Sequence, residues 1–353
     1  EIHISARKIG VDHPVYFVAD IAANHDGDLQ RAKDLIYLAA ESGADAAKFQ
    51  NFQAETIASD IGFKSLGAKF SHQSKWEKSV FDVYSEAALP LDWTPVLKET
   101  CDEAGIHYFT APYDLSLLQD LSHFVCAWKI GSGDITWIEL IERIATFDKP
   151  VLLATGAADW EDVTRAVEAI MSKTRQLVLM QCNTNYTGDR NNFQYLNLRV
   201  LEKFREFYPN IVMGLSDHTP GHTSVLGAVT LGARVIEKHF TDDITRDGPD
   251  HGFSMTPESW KSMVIATEDL VAALGNSEKR IMPNEADTAI LQRRAVRAGR
   301  DIAAGELITR EMLTFLRPCP TDGFAPFEEN KVVGKIAQKP VLKGEHLRVG
   351  DLT

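Results

Sequence analysis

The sequence predicts an α/β protein, a (β/α)8 TIM barrel followed by a small β-rich unit. Three observations carry that prediction. Eight short β-rich apolar runs recur along the first three-quarters of the 353 residues. Helical periodicity, with apolar residues three and four apart, fills the intervals between them. Polar or titratable residues close nearly every run, as they do where eight strands deliver their C-terminal ends to one mouth.

The first fifteen residues, EIHISARKIGVDHPV, form a cap segment ahead of the barrel. The runs are YFVADIA (16–22), DAAKFQNF (45–52), HYFTAPYD (107–114), AWKIGSGD (127–134), PVLLATGA (150–157), LVLMQCNT (177–184), IVMGLSDH (211–218) and RVIEKHFT (234–241). LQRAKDLIYLAAESG follows the first run and DWEDVTRAVEAIMSK the fifth, both amphipathic at helical spacing. Glycines in ESGAD, DEAGI and LGARV stand where helices end and a left-handed residue is needed. The barrel is expected over 16–275, close to the usual size of about 250 residues for this fold. An open doubly wound sheet is the rival, but no GxGxxG follows the first run, and the polar endings are not confined to one crevice.

After TPESWKSMVIATEDLVAALG the composition turns polar, and residues 276–293 are expected to be a linker containing Pro283. A compact unit is expected over 294–353. Within it RDIAAGELITREML (300–313) and KPVLKGEHLRVGDL (339–352) share an apolar-x-x-Gly-Glu-x-apolar core, which points to two related halves. About 60 residues is a marginal size for independent stability, so this unit is expected to dock on a barrel, its own or a partner's.

The net charge of -13 argues against non-specific nucleic-acid binding, so an anionic ligand needs a local positive site. No run reaches the roughly 18 to 20 apolar residues of a membrane span, and the N-terminus lacks a signal-peptide core, so a cytoplasmic location is expected. The four cysteines, Cys101, Cys126, Cys182 and Cys319, form no CxxC pair and are expected to be reduced thiols.

GLSDHT ends the seventh strand at His218, and EKHFTD ends the eighth at His239. On neighbouring barrel strands two imidazoles can share one divalent cation and leave positions open for substrate and water. Taken singly, each histidine reads as a hydrogen-bonded rim residue. His222, beside Pro220 and Gly221, cannot share a continuous helix with His218. An anion pocket is expected from Lys48, Lys129, Thr110, Ser132, Thr155, Thr184 and Ser216 near the strand ends. Alternation sets a condition on it: with Ser132 facing inward, Lys129 faces outward unless the strand bends. Asp20, Asp134 and Asp250 are the rim carboxylates.

In order and combination, DIAANHDGDLQRA, AAKFQ, KIGSGD, GLSDHT, IEKHFTD, GPD with SMTP and the C-terminal RP segment resemble the sialic acid synthase family, over nearly the whole chain. Those enzymes condense phosphoenolpyruvate with an N-acetylated hexosamine. The C-terminal unit resembles the antifreeze-like (SAF-type) domain that follows the barrel in that family. The resemblance implies a Mn2+- or Mg2+-dependent reaction at His218 and His239. It implies phosphoenolpyruvate held around Lys48, Ser132, Thr184 and Ser216, with Lys129 and Thr110 contributing. It places the amino sugar against Gln50, Asp134, Tyr186 and Asp250, with Asp20 or Asp134 orienting the attacking water. Arg317, in FLRPCP, resembles an arginine that reaches the sugar's N-acetyl group from the partner subunit, which implies a domain-swapped homodimer. N-acetylmannosamine is the expected acceptor, giving N-acetylneuraminate. A 2,4-diacetamido-2,4,6-trideoxy hexose, giving a legionaminic- or pseudaminic-type acid, is the alternative. Asp20 stands where the family pattern commonly has Glu, and Ala154 where serine is common, so the acceptor is less firmly implied than phosphoenolpyruvate.

Overall fold

The computed structural model describes residues 1–69, 73–74 and 76–353. The chain forms two compact units, Glu1–Gly275 and Asn276–Thr353.

In the first unit a short hairpin, β1 (Ile2–Ile4) with β2 (Arg7–Ile9), precedes eight parallel strands closed into a barrel. These are β3 (Tyr16–Asp20), β4 (Ala46–Asn51), β5 (His107–Pro112), β6 (Trp128–Ile130), β7 (Val151–Ala154), β8 (Leu177–Cys182), β9 (Val212–Asp217) and β10 (Ala233–His239), with β10 pairing β3 to complete the ring. Each strand falls where its run was expected, β10 starting one residue earlier. The helices follow their sequence signals too. Asp28 accepts from the backbone N–H of Gln30 and Arg31 to cap Leu29–Glu41, and Asp159 with Asp162 forms a capping box on Trp160–Met171. Gly43, Gly105 and Gly232 all take positive φ where the preceding helices stop.

Side-chain alternation divides the core in two. Phe17, Ala19, Leu153, Leu179, Leu215 and Ile236 point outward against the helices, and Tyr16, Val18, Phe109, Val178 and Val235 point into the barrel. Ile2, Ile4 and Ile9 of the hairpin join the inner cluster, so the N-terminal end of the barrel is closed by aliphatic side chains. Among the described residues no helix is long and apolar enough to cross a membrane.

In the second unit β11 (Ala295–Ala298) pairs antiparallel with β12 (Leu313–Leu316). The two similar sequence halves occupy equivalent places. Ile302 and Val341 exchange both backbone hydrogen bonds, at 2.9 Å each. Gly305 and Gly344 both take positive φ. Glu306 accepts from Ala303 N–H at 2.9 Å, as Glu345 does from Leu342 N–H at 2.8 Å. The segment read as a linker carries a short helix, Ala286–Gln292, and its Ile290 carbonyl accepts from Cys319 N–H at 2.9 Å.

Candidate active site

A cavity of about 450 Å³ opens at the C-terminal ends of the barrel strands. Its floor is the upper part of the same inner face that is apolar below. On β3 the inward residues run Tyr16, Val18, Asp20; on β10 they run Val235, Glu237, His239; on β4 Lys48 and Gln50 follow Ala46. Parity along each strand therefore sends these titratable groups inward.

Lys48 Nζ lies 2.6 Å from Asp20 Oδ2 and 3.7 Å from Glu237 Oε1, while Lys129 Nζ lies 3.2 Å from that same Oε1. Ser216 donates to Glu237 Oε1 at 3.1 Å. All four charged groups are buried. Burial opposes the charge on Glu237, but Lys129 and Lys48 outweigh it and hold the carboxyl well below its usual range. Burial also works against Lys48, whose ammonium is nevertheless held up by Asp20 and Glu237. Glu237 Oε2 is buried without a hydrogen-bond partner.

Above this floor stand the histidines, with ring centroids 5.4 Å apart. Burial and then the facing His239 pull His218 down to about 3, and burial with Lys48 does the same to His239, so both rings are neutral at pH 7. His218 Nδ1 sits 2.8 Å from Asn183 O, which fixes that nitrogen as the donor and leaves Nε2 with its lone pair. His239 Nε2 lies 3.5 Å from Asp20 Oδ2, and His239 Nδ1 is buried with no partner. Two neutral imidazoles with available nitrogens fit a divalent cation. Among the described residues no group of three His, Cys, Asp or Glu side chains is arranged as a cage. Tyr186 packs edge-on against His218, centroids 4.4 Å apart, and Phe253 packs against both rings.

Two further carboxylates line the wall. Burial pushes Asp134 and Asp250 up to about 6, and at Asp250 the Ala23 N–H, 3.1 Å from Oδ2, opposes the shift. The loop carrying Asp250 is tied to the loop after β3 through Asp26, which accepts from Arg246 at 2.7 Å and pairs with His251 at 2.8 Å.

The cavity thus gathers Asp20, Lys48, Gln50, Lys129, Ser132, Asp134, Thr184, Tyr186, Ser216, His218, His239 and Asp250 of the residues expected from sequence. Lys129 and Ser132 both face it because β6 ends at Ile130 and the chain turns at Gly131 into the single turn Ser132–Asp134. Gly156 supports the turn by donating its N–H to Ser132 Oγ at 3.0 Å; a Cβ there would meet Thr184 Cγ2 at 2.5 Å.

Thr110 is a correction. On β5 Phe109 points into the barrel, so Thr110 shares the outer face with Tyr108, and its hydroxyl is taken up by Asn51 Oδ1 at 2.5 Å. Thr155 likewise donates to Met180 O at 2.9 Å. Neither hydroxyl lines the cavity. Arg317 is exposed in the second unit, directly after β12. All four cysteines are free thiols, and burial raises that of Cys182.

Sequence reasoning gave no role to Glu237, the hub of the two lysines, although it stands two residues before His239. It also missed the wall from the segment and helices inserted between β4 and β5, where Phe52, Ile57, Val83 and Ala87 stand beside Gln73, Trp76 and Tyr84 and which bears no recognisable motif.

Comparison with known proteins agrees with this architecture. The NeuB family pattern matches residues 35–279, and the SAF domain pattern residues 293–353. The chain is 35% identical over 343 residues to the N,N'-diacetyllegionaminic acid synthase of Legionella pneumophila, covering 94% of each chain. It is 31% identical over 343 residues to the pseudaminic acid synthase of Helicobacter pylori, covering 96% of this chain and 98% of that one. The crystal structure of N-acetylneuraminic acid synthetase from Leptospira borgpetersenii superposes with a TM-score of 0.70 at 29% identity, over 81% of this chain and 94% of that one. The chain belongs to the NeuB family, the sialic acid synthase-like proteins, and ends in a SAF domain.

Proposed function

We propose that this protein condenses phosphoenolpyruvate with the open-chain form of an N-acetylated hexosamine and water, releasing a nine-carbon sugar acid and phosphate. The observation that carries the reading is the pair Lys48 and Lys129, bracketing one buried carboxylate beneath two neutral histidines in a single cavity. The lysines, with Ser132, Ser216 and Thr184, supply the cations and hydroxyls that a phosphate and carboxylate require. Gln50, Asp134, Tyr186 and Asp250 are assigned to the sugar.

A Mn2+ or Mg2+ ion held by His218 and His239 would supply Lewis-acid polarisation of the sugar aldehyde. The C3 of phosphoenolpyruvate bonds to the aldehyde carbon, whose oxygen takes a proton; water adds at C2 and loses a proton; the C2–O bond to phosphate then breaks as the new C2 hydroxyl gives its proton to the departing phosphate and becomes the ketone. Asp134 and Asp250, held at about 6, suit proton exchange near neutral pH, and Asp20, which accepts from Ala22 N–H at 3.1 Å, is assigned to orient the water. Arg317 is assigned to the N-acetyl group of a sugar bound in the partner's barrel, in a domain-swapped homodimer. Dependence on phosphoenolpyruvate, an intracellular metabolite, goes with a cytoplasmic enzyme.

N-acetylmannosamine is the acceptor expected from sequence. The wall between β4 and β5 sets Phe52, Ile57, Val83 and Ala87 beside Gln73, Trp76 and Tyr84, and its apolar part suits the 6-methyl group of the 2,4-diacetamido-2,4,6-trideoxy hexose, the acceptor favoured here. The Legionella pneumophila relative is named for the corresponding product. Phosphate release from phosphoenolpyruvate with Mn2+ is measured with each sugar in parallel. Higher kcat/KM for the trideoxy sugar is expected; preference for N-acetylmannosamine overturns the acceptor assignment, and release with neither overturns the condensation.

A further inference from the structure

We infer that the buried ion pair Asp217–Lys238, on the outer face of the barrel, is the element that sets the spacing of His218 and His239 and thereby the affinity of the site for a divalent cation. The two residues are register partners on β9 and β10, and each immediately precedes one of the histidines. Alternation that sends Ser216, Glu237 and His239 inward sends Asp217 and Lys238 outward, into the layer between strands and helices where Leu215 and Ile236 are their neighbours.

Lys238 Nζ lies 2.5 Å from Asp217 Oδ2 and donates to Thr219 O at 2.6 Å. From the position beside His239 it therefore grips the chain on both sides of His218. The Asp217 carboxylate also accepts from Thr219 N–H at 3.1 Å, Thr219 Oγ1 at 2.9 Å and Ser224 Oγ at 2.6 Å. The pair is fully enclosed, with side-chain exposures of 1% and 0%.

The attraction between the two ions gives by itself no stability advantage. Two ions removed from water recover through their attraction about what desolvation costs, and apolar side chains of equal volume do as well or better. The outer face of a barrel strand is ordinarily apolar, as it is on these strands up to this point. What an ion pair with a carboxylate so fully hydrogen-bonded adds over aliphatic contact is geometry, because it admits one register and one distance. The residue it borders on each strand is a candidate ligand.

The inference rests on the cation reading proposed above, which fails separately if His239→Ala leaves Mn2+ affinity unchanged. The test is a calorimetric Mn2+ titration of the full-length protein, wild type against Asp217→Leu/Lys238→Met, with urea unfolding and the KM for phosphoenolpyruvate measured on the same samples. The expected result is Mn2+ affinity weakened about tenfold or more with KM for phosphoenolpyruvate within about twofold, because Lys48 and Lys129 lie on the other face, and a folded protein of lower stability, because the buried donors of Thr219 and Ser224 lose their acceptor. Should the apolar pair fail to fold, Asp217→Asn/Lys238→Gln removes both charges and keeps a polar side chain at each position, and a smaller weakening is expected. Wild-type Mn2+ affinity in a folded double variant overturns the inference. So does equal loss of Mn2+ and phosphoenolpyruvate binding, which marks the pair as mere support for the fold.

Discussion

The two ends of the barrel are built from the same eight strands and the same inward-facing positions, yet they hold opposite chemistry. At the N-terminal end the inner face is Tyr16, Val18, Val178 and Val235, sealed by Ile2, Ile4 and Ile9 of the hairpin. Further along the same sheet it becomes Asp20, Lys48, Glu237 and His239. The lower half buries apolar area and leaves no charge to compensate. The upper half buries two lysines and two carboxylates, an arrangement that contributes little net stability. Stability and chemistry are thus separated along the barrel axis, and substitutions at the two ends should fail in different ways.

The largest effect is expected at the upper end. His239→Ala should lower kcat/KM by at least about 1000-fold while urea unfolding stays within about 1 kcal/mol of wild type, because the ring it removes is neutral and makes no hydrogen bond to the fold through Nδ1. A variant that unfolds instead breaks the separation.

Next in size comes the lower end. Ile4→Ala deletes a fully buried side chain from the inner cluster and should cost about 2–5 kcal/mol in unfolding free energy, with kcat/KM per folded molecule unchanged. A fall in kcat/KM would show that the hairpin reaches the mouth.

A smaller effect of opposite sign sharpens the contrast. Asp134 is pushed up to about 6 by burial alone, so its ionised form is a burden on the fold at pH 7. Since the folded carboxyl binds its proton more tightly than the unfolded one, the wild type gains stability from this group as pH falls through about 6 toward 4. Asp134→Asn should therefore be more stable at pH 7 by about 1 kcal/mol, allowing for its partial exposure, and the difference should vanish near pH 4. The same variant should lose the acid limb near pH 6 in kcat/KM. Equal stability at pH 7 would place the carboxyl in water.

The division between the two ends also explains what could be read from sequence. Strand runs, helical periodicity and the positive-φ glycines are local signals, and the structure repeats them with few changes. His218 and His239 were legible because two similar strand exits sit on consecutive strands. Thr110 was misplaced because a hydroxyl near a strand end says nothing of parity; the tie of its hydroxyl to Asn51 follows from Phe109 taking the inner position. Under strict alternation Lys129 and Ser132 exclude each other, and the turn at Gly131 removes the conflict. Glu237 stayed without a role since its partners Lys48 and Lys129 are distant in the chain and meet it only when β10 closes against β3 and the barrel is complete. The wall between β4 and β5 has no periodicity that separates cavity lining from core.

The most direct test of the condensation is the fate of the oxygen that bridges C2 and phosphorus in phosphoenolpyruvate. With that oxygen labelled as 18O, and Mn2+ and the preferred sugar in excess, the phosphate released is analysed by mass spectrometry. Label in the phosphate is the predicted result, because water adds at C2 and the C–O bond breaks. Label retained in the sugar acid, with unlabelled phosphate, would mean attack at phosphorus and would contradict C–O cleavage at this mouth.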